Sequence, residues 1–143
     1  MKRIYLLIIT LSLASLSVFS QSDRSKLIGL WKSTNQEEVL YTHFDNEGYV
    51  YMINNGDTIG GKNFNIRNQT GSMYYRIDTS KTPKTLDFIV DFDDKEKEDK
   101  TLFGIYMFNK NGNLILCQNY KAEIRLTEFD KQSSIIFEKV KNE

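Results

Sequence analysis

From Leu27 onward, apolar and polar positions exchange every second residue far more than every 3.6, a spacing that predicts strands. Leu86, Phe88, Val90 and Phe92 share one face of such a strand, with Asp87, Ile89 and Asp91 on the other. Met73, Tyr75 and Ile77 alternate with Tyr74 and Arg76, and Tyr49, Tyr51 and Ile53 alternate with Val50 and Met52. Phe103, Ile105 and Met107 interleave with Gly104, Tyr106 and Phe108, so that strand is apolar on both faces. Residues 39–44, 114–120 and 135–140 complete the set.

Between these runs stand turn residues with a mechanism. Asp45-Asn46-Glu47-Gly48, Asn54-Asn55-Gly56-Asp57 and Lys110-Asn111-Gly112-Asn113 each supply Gly where a tight hairpin needs positive φ. Gly60-Gly61 predicts a bulge or sharp bend in the strand that follows the second turn. Asp93 to Lys100 is an unbroken run of charge, read as a solvated hairpin tip. Pro83 precedes a strand, where its missing N–H does little harm. The count comes to about eight to ten short antiparallel strands, an all-β meander, barrel or sandwich. A short helix over 22–27, with Ser22 as N-cap, is the one helical expectation.

The N-terminus follows a different rule. Lys2 and Arg3 precede an uncharged, mostly apolar stretch from Ile4 to Phe19, broken by Ser12, Ser15 and Ser17. Val18 and Ser20 suit the −3 and −1 positions of a signal-peptidase site, so residues 1–20 read as a signal peptide and 21–143 as one exported domain. The expected location is periplasmic or secreted. No cysteine follows the stretch to take a lipid, so no stable membrane anchor is expected.

Removing Lys2 and Arg3 leaves 17 basic against 19 acidic side chains, which is no footprint for nucleic acid. The lone Cys117 cannot close an internal disulfide, and on a strand after Leu114-Ile115-Leu116 it reads as a packed apolar side chain. His43 is the only histidine and has no partner constellation for a triad or a metal pair. The acidic residues of 93–100 interleave with Lys95, Lys97 and Lys100 and fit no calcium loop. No catalytic residues, metal site or cofactor are assigned, and the expectation is a non-enzymatic protein. The positive signal is aromatic: nine Phe, eight Tyr and one Trp, many at alternate positions that a barrel interior would take.

Several segments in order carry a resemblance. Gly29-Leu30-Trp31 opens the first strand as Gly-x-Trp does in lipocalins, where the Trp packs across the closed end of the barrel. Pro83-Lys84-Thr85-Leu86-Asp87, Gly104-Ile105-Tyr106, Leu114-Ile115-Leu116-Cys117 and Arg125-Leu126-Thr127-Glu128-Phe129 follow. Together they resemble a calycin-type family of small exported bacterial lipocalin-like domains, many from planctomycetes, whose biochemical role is unsettled. Leu126 departs from it, standing where that family has Pro. The resemblance implies an antiparallel up-and-down β-barrel closed structurally by Gly29, Trp31 and Arg125, with the Arg125 guanidinium stacked over Trp31. It further implies a binding protein for a small apolar ligand, the cavity lined by Tyr51, Tyr75, Phe88, Val90, Tyr106 and Leu116. The alternative is an interaction or inhibitor module of the bacterial envelope, meeting a protein partner through Tyr41, Tyr49, Tyr74 and Tyr120.

Overall fold

The computed structural model describes residues 23–120 and 123–141, so the expected signal segment, Gln21 and Ser22 lie outside the described residues. A one-turn helix, α1, spans 23–27. Ten strands follow: β1 (Gly29–Ser33), β2 (Leu40–Phe44), β3 (Val50–Asn54), β4 (Asp57–Ile66), β5 (Gln69–Asp78), β6 (Thr85–Phe92), β7 (Lys100–Leu102), β8 (Gly104–Phe108), β9 (Leu114–Gln118) and β10 (Ser134–Lys139). All pairings are antiparallel, and β10 closes on β1 through Trp31↔Lys139, Lys32↔Glu138 and Ser33↔Phe137. The result is a closed nine-strand barrel plus the short β7. That extra strand continues the line of β8 beyond Phe103, holding one register against β6 from Thr85↔Ile105 to Val90↔Lys100.

The turn chemistry works as its residues dictate. Asp45 accepts the N–H groups of Gly48 and Tyr49 at 2.8 Å each, and Asn55-Gly56 takes positive φ at both positions. Arg67-Asn68 makes the β4–β5 turn with φ of 50° and 61°, a hairpin without glycine that depends on Asn tolerating the left-handed region. Residues 93–100 are exposed throughout.

Antiparallel neighbours alternate in direction, so nine strands cannot alternate evenly round a ring unless one of them turns. β4 is that strand. It bends at Gly60-Gly61, φ +101° and +86°, and the register shifts between Gly61 and Phe64. A Cβ on Gly60 would lie 2.6 Å from the Val50 carbonyl and would strike the Met73 side chain, so nothing larger fits the bend. Beside it, Tyr49, just before β3, bridges directly to Tyr74 of β5, and the Tyr75 N–H donates to the Gly48 carbonyl.

The core is the barrel interior: Leu27, Trp31, Phe44, Val50, Met73, Tyr75, Leu86, Phe88, Tyr106, Leu114, Leu116 and Phe137. Phe44 meets Tyr75 and Phe88 edge to face at 5.1 and 5.8 Å. A second buried layer lies outside the sheet, where Asp87, Ile105 and Cys117 face outward yet are almost fully covered. That layer accounts for Ile105, the buried outward residue of β8, while Met107 on the same face is exposed.

Candidate functional site

Tyr75, Phe88, Tyr106 and Leu116 all point into the barrel, where each is at most 5 % exposed, and Val90 packs against them. They are brought together as neighbours in one packed cluster. Tyr51 is not with them. Val50 and Met52 take the inward positions of β3, and Tyr51 stacks on His43 outside at 4.8 Å. A one-residue change of phase reverses a strand's faces, and β3 carries apolar side chains on both, so alternation alone could not assign it.

One end of the barrel is capped by α1. Trp31 is buried, and its indole N–H donates to the Leu27 carbonyl at 2.7 Å. Asp23 accepts the Lys84 ammonium at 2.7 Å and the Tyr106 hydroxyl at 2.9 Å, which ties the helix to β8 and to the residue before β6. Burial pushes the Asp23 carboxyl up, but the bonds from Lys84 and Tyr106 outweigh it and hold the pKa below the usual value. Burial, then the bond to Asp23, drives the Tyr106 phenol far above its ordinary range.

The expected stack of Arg125 on Trp31 does not form. The cation over the indole is Lys139, 5.3 Å from the ring centroid, with its ammonium also donating to the Lys26 carbonyl. Gly29 makes room for it: φ is +123°, and a Cβ there would lie 2.9 Å from Lys139 Cε. Arg125 instead lies over Phe103 at 4.9 Å and grips Asp87 with both terminal nitrogens, at 2.6 and 3.0 Å. The long segment after β9 carries Arg125 over the outer wall rather than under the base, which is why the expected partner was the wrong one.

Asp87 is the centre of this outer cluster. Its carboxylate also accepts the Gly104 N–H at 3.3 Å and Arg76 at 3.2 Å, and Arg125 donates a third bond to the Gly104 carbonyl at 2.8 Å. Burial raises the Asp87 pKa, while Arg125, the Gly104 N–H and Arg76 lower it, and the net position is below the ordinary carboxylate value. Beside the cluster runs a groove of about 520 Å³. Its floor is the outer face of β5, β6 and β8, through Arg76, Asp78, Thr85 and Ile105. Its rims are Lys81, Thr82 and Pro83 on one side and Arg125, Leu126 and Thr127 on the other.

No family model, curated protein or solved structure matches the chain. The site therefore rests on its own geometry. Among the described residues no three His, Cys, Asp or Glu side chains are grouped to hold a metal ion, and no helix is long and apolar enough to cross a membrane. Cys117 is buried and unpaired in the outer layer, and His43 sits on the outer face of β2 with its Nδ1 buried and without a hydrogen-bond partner. Arg76 and Asp87 were not singled out from sequence. Two acids, Asp87 and Asp91, stand inside Leu86–Phe92, but the pairing Arg76↔Asp87 is set by register across two strands.

Proposed function

We propose that the protein is an exported, non-enzymatic binding module that holds a small molecule against the barrel wall, in the groove beside Asp87 and Arg125. The observation that carries this reading is the contrast between inside and outside. The interior positions are filled by Trp31, Phe44, Phe88, Tyr106 and Phe137, each no more than 1 % exposed. The wall groove combines volume for a small ligand with convergent polar and apolar groups, the usual composition of a ligand site. Barrels of this kind serve many roles, so the site rather than the fold supports the function. The signal-like residues 1–20 support the export half of the reading.

Native mass spectrometry of the protein recovered from its own cells tests both halves. The expected species starts at Gln21 and carries a small non-covalent ligand. A chain retaining Met1 would overturn export. A bare polypeptide mass, or a stoichiometric protein partner in place of a small molecule, would overturn ligand binding.

A further inference from the structure

The groove has a charge asymmetry that selects among ligands. Arg76, Lys81 and Arg125 line it against two carboxylates, Asp78 and Asp87. Both carboxylates are committed. Asp87 is held by Arg125, Arg76 and the Gly104 N–H, and Asp78 accepts the Ser80 N–H at 2.9 Å and its hydroxyl at 2.6 Å. Arg125 is committed too, with its two terminal nitrogens bonded to Asp87 and Gly104. Arg76 differs: its side chain is 64 % exposed and it spends one long bond on Asp87, which leaves most of its donor fork open. Lys81 is exposed on the rim. The groove thus offers one uncompensated positive charge, with a planar donor fork suited to oxyanions, beside the half-buried apolar surface of Pro83 and Leu126.

We infer that the groove takes a small amphipathic anion, its single oxyanion headgroup at Arg76 and Lys81 and its apolar body along Pro83 and Leu126. This rests on the groove being the binding site. A neutral ligand would leave the surplus charge unanswered, and a cationic one would be repelled by it. A purely inorganic anion would gain nothing from the apolar wall. Arg76 is therefore a binding residue, whereas Arg125 positions Asp87 and the rim.

The test is amide-resolved NMR titration of the protein with octanoate, octyl phosphate, 1-octanol and inorganic phosphate, repeated on Arg76→Gln. Arg76 is exposed and Asp87 keeps Arg125, so that variant retains the fold. Octanoate or octyl phosphate is expected to shift the amides of Ile77 and Leu126 and to bind about tenfold tighter than 1-octanol, a ratio set by one charge-assisted pair. Arg76→Gln is expected to remove that advantage, and the tighter of the two anions identifies the headgroup. Equal binding of 1-octanol at these amides, or octanoate affinity unchanged in Arg76→Gln, overturns the anion inference while leaving the groove as the site. No shift at Ile77 and Leu126 with any probe overturns both.

Discussion

Asp87 is the more deeply buried of the two buried carboxylates, Asp23 and Asp87, among the described residues. Its side chain is 3 % exposed, so its charge is sustained by Arg125, Arg76 and the Gly104 N–H rather than by water. Removing Arg125 strips two charge-assisted bonds from it. Arg125→Ala is expected to cost about 2–3 kcal/mol, near 10 °C in melting temperature. The sign of the pH dependence follows from the lowered Asp87 pKa. A folded-state pKa below the unfolded value of about 3.9 gives stabilisation that is full above that value and is lost as pH falls through the folded one. Denaturant unfolding of wild type and Asp87→Asn should therefore show a gap that is wide at neutral pH and narrows below about pH 4. A gap independent of pH would show that the Asp87 pKa is the same folded and unfolded, and a gap that widens as pH falls would show the carboxyl held neutral in the folded protein.

At the scale of elements, the bend in β4 decides whether the sheet closes. Gly60 sits where φ is +101° and where any Cβ meets the Val50 carbonyl and Met73, so the cost of a side chain is both torsional and steric. Gly60→Ala is expected to destabilise by about 3 kcal/mol in equilibrium unfolding, and a change within a few tenths would remove the bend from the account. Much of this level was legible in the residues. The strands around Tyr75 and Phe88 keep one mainly apolar face, and period two places both inward. Gly60-Gly61 announced the bend. The whole of β4 was harder, because nearly every side chain from Asp57 to Ile66 is exposed or half-buried and burial imposes little alternation. Tyr51 was misassigned for the converse reason, since β3 is apolar on both faces.

For the molecule as a whole, closure leaves two buried layers with different consequences. The inner one is a packed aromatic core capped by α1. The outer one forms where Arg125, Leu126 and Thr127 come back beside Asp87 and Ile105, and these residues make one rim of the groove. The inner layer could be read from alternation. The outer one could not, because it depends on where a fifteen-residue connection from 119 to 133 lands, and that segment has no periodicity of its own. A full barrel leaves its outer wall as the place where the proposed ligand would sit. Isotope-filtered intermolecular NOEs between bound octanoate and the protein's methyl groups test it most directly. Contacts to Leu126 and Thr127 are predicted, and contacts to Leu86, Leu114 or Leu116 inside the barrel would contradict it.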